Sequence, residues 1–458
     1  MIPRNILKYL DTWRTKPHRK PLVLRGARQV GKSSLIREFA KQHFKNLAEI
    51  NLEKHPEDAE LILRSKGPAD SLKFLSARLG LEIKPGNTLL FFDEIQARPD
   101  LFANLRYWHE ELPELHVVAA GSLLDLTLSA STYSVPVGRI EYCHIGPLTF
   151  TEFLTALGDE KAAMLIKSFK WGEPWPDSIH HNLLRRLKQY WIVGGMPEAA
   201  SVFARNDSFN DAEEVKRSIT NTYRDDFAKY GGRVNQQLLR RVYQRVPTLV
   251  GKRAKYVEYD RETTSVQISK ALDLLTLAQV ISRIRNTTGT GIPLGADADD
   301  RLCKYLFVDV GLQLSLCDLN PLQIERAEDL LLVNRGGLAE QFIGQHLLYL
   351  RPPYHQPELY YWERMQRNAS AELDYLLAIN GEVVPVEIKS GACGKMRSLQ
   401  VFLNQRPCPV AVRFSTMPPK IEAINSNVKL LSLPLYFVEE VERLVSEAMG
   451  TPLSGSLR

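Results

Sequence analysis

Gly26, Gly31, Lys32 and Ser33 stand in the spacing Gly-x-x-x-x-Gly-Lys-Ser, which suits one kind of chemistry, the cradling of a polyphosphate. The two glycines let successive backbone N–H groups turn inward on an anion, Lys32 reaches the outer phosphates, and the Ser33 hydroxyl is a ligand for Mg²⁺. The whole loop, Gly26, Ala27, Arg28, Gln29, Val30, Gly31, Lys32, Ser33 and Ser34, is therefore expected to line the nucleotide. A second pair follows at Asp93-Glu94, directly after the apolar run Thr88-Leu-Leu-Phe-Phe92. Acids at the carboxyl end of a central strand lie where open α/β sheets bind ligands. Asp93 suits a Mg²⁺ ligand and Glu94 a group that polarises attacking water. Ser122, after the next apolar run, is positioned to contact the outer phosphate or that water. Arg139 can reach the phosphates bound by a neighbouring subunit.

A separate constellation lies near the carboxyl end. Asn380-Gly381 is a strong two-residue hairpin signal between two strand-like runs, Leu373 to Ile379 and Glu382 to Ser390. A regular turn there sets Asp374 opposite Glu387 and Glu372 opposite Lys389, all on one face. Like charges placed directly opposite in a sheet repel, and a divalent cation between them relieves the conflict. Asp374 followed by Glu387-x-Lys389 resembles the core of the PD-(D/E)xK nucleases, although Leu373 stands where that family often has proline. The resemblance implies Mg²⁺ held by Asp374 and Glu387, with Glu340 added from a preceding helix, and Lys389 acting on water. A polar sheet face joined by a Glu372–Lys389 pair, with no metal, is the alternative.

These groups must be carried by regular elements. Short apolar runs at Leu22 to Leu24, Leu47 to Leu52, Thr88 to Phe92 and His116 to Ala120 alternate with helical or loop stretches, which predicts a parallel sheet covered on both faces. The helix after the loop turns Leu35, Ile36, Phe39 and Ala40 to one side. From Lys170 to Val310 the pattern is mostly helical. Gly194-Gly-Met-Pro197 reads as a helix stop and turn, and Tyr223-Arg-Asp-Asp-Phe227 as a solvated helix face, contact of its two acids with a basic partner being the alternative. Ile268, Ala271, Leu272, Leu275 and Ala278 mark an amphipathic helix, followed by β-like runs at Val280 to Ile284 and Tyr305 to Val308, the pattern of a winged helix. On its approach, Phe227 to Val257 holds eight basic residues and no acid: Lys229, Arg233, Arg240, Arg241, Arg245, Lys252, Arg253 and Lys255. Such a window, Lys229 to Lys255, is the electrostatic footprint of nucleic-acid binding, and contact with an acidic surface of another domain is its alternative.

The 458 residues are too many for one core. With 44% hydrophobic and 24% charged residues the composition is that of an ordinary globular protein. The formal charge of +6 leaves the chain outside the basic window slightly acidic. No apolar run approaches the length of a membrane helix and no signal-peptide core opens the chain, so a cytoplasmic protein is expected. Five scattered cysteines argue against disulfide frameworks and zinc clusters.

The segments GARQVGKSS, LLFFDEIQ, AAGSLL, VGRI and GPLTFTEFL together resemble prokaryotic AAA-type ATPases that carry a further C-terminal region. The resemblance implies ATP hydrolysis with Mg²⁺, Ser122 as a sensor and Arg139 as a trans-acting arginine, in a possible homo-oligomer. The expected architecture is α/β: a P-loop domain over 1–155, a helical and winged-helix domain over 156–315, and a restriction-endonuclease-like domain over 316–458. The expected function is an ATPase acting on DNA; a nucleotide-dependent protein-interaction switch and an ATP-regulated endonuclease are the alternatives.

Overall fold

The computed structural model describes residues 2–129, 136–230, 234–326, 336–364, 371–389, 396–425 and 427–450. Five strands, β1 (Leu22–Arg25), β2 (Asn46–Asn51), β3 (Thr88–Asp93), β4 (His116–Gly121) and β5 (Glu141–His144), form a sheet in the order β2-β3-β4-β1-β5. Every neighbouring pair is parallel. Parallel strands need both faces covered, and β3 and β4 are buried along their whole length. Leu89, Leu90, Phe91 and Phe92 are all fully buried, so Phe92→Ala alone would cost about 3–5 kcal/mol. The four expected strand runs of this region are thus borne out, with shifts of one residue at their ends.

A helical region follows, including α2 (Phe209–Asp226), α3 (Gln236–Leu249) and α4 (Ser265–Leu277); the helix after the first loop, α1, spans Lys32–His43. The five apolar positions expected on one side of α4, including Ala278 just past its end, are all buried. The hairpin after it, β6 (Ile281–Asn286) and β7 (Asp299–Phe307), is antiparallel as a wing would be. It is also the edge of the C-terminal sheet, because β6 runs parallel to β8 (Tyr360–Arg364) at Arg285 and Asn286. The physical reason is its apolar inner side: Ile281, Ile284, Tyr305 and Phe307 are buried, and a strand edge left open beside them would be a liability.

The remaining strands are β9 (Ala371–Ile379), β10 (Glu382–Ile388), β11 (Val410–Ser415), β12 (Lys420–Asn425) and β13 (Val428–Pro434). They complete a mixed eight-stranded sheet in the order β12-β13-β11-β10-β9-β8-β6-β7, against which α5 (Gly337–Leu348) packs. Asn380 and Gly381 have φ of 50° and 85°, the left-handed values a tight two-residue turn requires. The register is the expected one, from Ile379↔Glu382 to Tyr375↔Val386.

One hydrophobic cluster runs through all three regions. It joins Leu24 of the first sheet and Phe39 of α1 to Tyr190, Val242 and Leu272, and these to Phe342, Val412 and Tyr436. The segment Ile145 to Leu154 is a hub: Thr149 and Glu152 form a capping box, Thr151 N–H and Oγ1 donate to Glu439 at 2.8 Å each, and Phe150 N–H donates to His346 Nε2 at 3.0 Å. No described helix is long and apolar enough to cross a membrane. The described cysteines, Cys143, Cys303, Cys317 and Cys408, are free, and Cys393 lies outside the described residues.

Candidate functional site

The first loop leaves β1 and enters α1 through residues with left-handed backbone, Gln29 at φ 65° and Gly31 at φ 91°. That alternation turns backbone N–H groups inward, and α1 begins without any side-chain cap on them. At Gly26 a Cβ would collide with the Ile145 carbonyl, and at Gly31 it would press on Pro197. Arg4 fastens the loop from outside: its guanidinium donates to the Val30 carbonyl at 3.1 Å and the Gly146 carbonyl at 2.9 Å, and pairs with Glu152 at 3.1 Å.

Because β4 lies between β1 and β3, the loop, the acids after β3 and Ser122 after β4 converge on one cavity of about 510 Å³. Lys32 is buried and donates to the carbonyls of Gly26 and Ala27 at 2.8 Å each. Burial lowers its pKa to about 8, against the pull of Glu94 and Asp93. The Ser33 hydroxyl donates to both Asp93 carboxylate oxygens at 2.9 Å, and burial raises the Asp93 pKa. Two hard oxygen donors this close, on the wall of a phosphate-sized cavity, fit Mg²⁺. Glu94 sits at φ 54°, a costly conformation for this residue, and Gln96 Nε2 holds its carboxylate. A Cβ at Gly121 would meet the Gln96 amide oxygen, so a larger residue there would push that side chain aside. The Ser122 hydroxyl is buried in the same cavity and has no hydrogen-bond partner among the described residues.

Two stretches contribute in ways their sequence did not suggest. The turn Gly194 to Pro197, read as structural, brings Pro197, Glu198 and Ser201 to the cavity wall beside Ile2 and Leu148. The face of Tyr223 to Phe227, read as solvated, is solvated only in part. Asp226 is buried and paired with Arg28 of the loop, and the Tyr223 hydroxyl donates to the Arg28 carbonyl at 2.8 Å. Burial works against the Arg28 charge, but Asp226 overcomes it and the net shift is upward. Arg139 is not brought to this cavity; it is half-exposed and pairs with Glu110 at 2.8 Å.

The basic window is less bare than its sequence. Arg240, Arg241 and Arg245 share the exposed side of α3, yet Arg241 pairs with Asp260 and Arg245 donates to the Glu258 carbonyl at 3.2 Å. Arg253 lies 3.8 Å from Glu363 and Lys255 3.9 Å from Glu258. Arg233 falls outside the described residues, as does the side chain of Lys229. Arg241 and Lys270 line a groove of about 290 Å³ with Asn235, Thr263 and Gln267.

In the C-terminal sheet, Asp374 and Glu340 come together with Glu372, while Glu387, expected to complete the set, is turned to Lys389. Oxygens of Glu340, Glu372 and Asp374 lie within 4.8 Å of one another. Asp374 accepts the Ile388 N–H at 2.6 Å, and burial and Glu340 push its pKa well up. Glu387 is buried, with one oxygen on Lys389 at 2.8 Å and the other without a hydrogen-bond partner among the described residues. Sequence reasoning missed Lys304 of β7: its ammonium is buried, 2.9 Å from Glu340, in contact with Glu372, and 5.0 Å from the Tyr361 ring centre. Burial opposes that charge, but Glu340 and Glu372 reverse the effect and raise its pKa. This ammonium already supplies positive charge to the cluster and would repel a dication brought beside it.

Residues 18–154 match the family described as an AAA domain. The N-terminal region is an AAA domain. Residues 184–323 match a domain of unknown function, DUF8612, and residues 335–436 another, DUF4143. No curated protein matches the chain. Among solved structures, the ORC2 protein of Aeropyrum pernix (ADPNP-ADP complexes) is 13% identical, with 70% of this chain and 91% of that chain covered at a TM-score of 0.33. The Holliday junction branch migration motor RuvB of Thermotoga maritima is 13% identical, covering 62% and 90% at 0.27, and PCH-2 of C. elegans 13% identical, covering 44% and 60% at 0.25. At this level the likenesses say nothing about what lies beyond the AAA domain or what the chain acts on.

Proposed function

We propose that this protein is a Mg²⁺-dependent ATP hydrolase whose nucleotide state is passed from the AAA domain to a DNA-contacting helical region. The observation that carries the proposal is the convergence of Lys32, the Ser33–Asp93 pair, Glu94 and the unpartnered Ser122 hydroxyl on one cavity. The inward N–H groups and Lys32 bind the phosphates, and Ile2, Leu148 and Pro197 offer apolar surface to the base. Mg²⁺, held by Ser33 and Asp93, would neutralise charge on the phosphates. Glu94, oriented by Gln96, polarises the attacking water, and Ser122 bonds that water or the outer phosphate. Arg139, solvent-facing and away from its own cavity, is offered to a second copy of the chain.

For DNA as partner, the support is the exposed side of α3 and the groove that Arg241 and Lys270 line beside α4. The test is ATP turnover by the full chain with single-stranded, duplex and branched DNA at rising salt. Stimulation by DNA that weakens with salt, with a shallower salt slope in Arg240→Ala, supports this reading. Turnover indifferent to every DNA favours a switch acting on proteins instead.

A further inference from the structure

We infer that Lys304 is the built-in cation of the C-terminal carboxylate cluster, so that the cluster fastens the β6–β7 hairpin to the C-terminal sheet and holds no divalent metal. The inference is independent of ATP hydrolysis at the first site.

The ammonium sits against two of the carboxylates that a metal at this cluster would use. Glu340, Glu372 and Asp374 offer three oxygens within 4.8 Å of one another, and Lys304 Nζ lies 2.9 Å from Glu340 Oε1 and in contact with Glu372 Oε1. Two of the three converging carboxylates are thereby closed on a charge that belongs to the chain. Mg²⁺ would need oxygens of these carboxylates at about 2.0–2.1 Å in near-octahedral array, and would have to shed water to get them.

Its position is held from several directions. The Lys304 side chain is 3% exposed, and the Tyr361 ring of β8 flanks it. The Tyr375 hydroxyl donates to the Glu340 carbonyl at 2.8 Å, which fixes the turn of α5 that bears the carboxylate. The lysine that the Glu-x-Lys pattern singles out is placed differently: Lys389 is 41% exposed and bonds only Glu387 among the described carboxylates. The contacts of Lys304 also tie separate parts of the chain together, since β7 follows the helical region while Glu340 and Glu372 belong to α5 and β9.

The test is Mn²⁺ binding to the nucleotide-free full chain, followed by loss of the free-ion electron paramagnetic resonance signal. Wild type and Asp374→Asn are expected to bind Mn²⁺ identically, because any ion taken up sits at the first site. Lys304→Met, which keeps the stem and removes the charge, is expected to gain one Mn²⁺ that Asp374→Asn in the same chain removes, and to melt at a higher temperature with Mn²⁺ than without. Wild type binding one ion more than Asp374→Asn overturns the inference, as does a folded Lys304→Met that gains none. If Lys304→Met does not fold, the comparison of wild type with Asp374→Asn decides alone.

Discussion

Arg28, in the middle of the phosphate-binding loop, is paired with Asp226, 198 residues away at the end of α2. The loop that meets the nucleotide is thus tied to the helix that leads into the basic window. Asp226→Asn keeps the shape and removes the charge. It is expected to cost about 1–2 kcal/mol of stability, below the usual range for a charged hydrogen bond because Arg28 is partly exposed. It should also lower ATP affinity several-fold. Denaturant unfolding and nucleotide titration of the same preparation check both effects, and an unchanged affinity would mean the pair is only structural.

Glu94 and Gln96 separate chemistry from positioning. Glu94→Gln should bind ATP as wild type does and lose roughly 10²–10⁴ in turnover, the range for a general base. Gln96→Ala leaves the carboxylate in place but unheld, so a smaller loss is expected, with affinity again unchanged. Single-turnover hydrolysis alongside equilibrium binding distinguishes the two.

The buried Lys32 makes the site pH-sensitive in a defined direction. Its pKa falls from 10.5 in the unfolded chain to about 8 in the fold. Between those values the unfolded chain binds more protons, so the stability of the nucleotide-free protein should rise with pH through that window. Phosphate oxygens favour the charged amine, so ATP binding near pH 8 should take up about half a proton. Calorimetry in two buffers of different ionisation enthalpy measures this directly. Equal heats in the two buffers would contradict it.

Local patterns in the sequence account for much of this site and almost none of its scaffolding. Gly26 to Ser34, Asp93-Glu94 and the Asn380-Gly381 turn were legible because each is a short run whose backbone needs and chemistry are set by immediate neighbours. The hairpin register even placed Asp374 beside Glu387. Arg4, Asp226 and Lys304 were not legible, since each acts on a partner between 26 and 198 residues away, and a charged residue read alone looks solvated. Asp260, Glu258 and Glu363 hid for the same reason: they fold back onto a window that contains no acid of its own. The β6–β7 hairpin was read correctly as a hairpin. Its membership of the C-terminal sheet depends on β8, more than 50 residues on, which no local period reports.

The central claim is that the cavity formed by Lys32, Ser33, Asp93, Glu94 and Ser122 hydrolyses ATP. It is tested most directly by steady-state ATP turnover of the purified full chain with Mg²⁺, beside Lys32→Ala. Turnover that requires Mg²⁺ and falls by roughly 100-fold or more in Lys32→Ala is the expected result. Equal rates in the two proteins, or none in either, would contradict it.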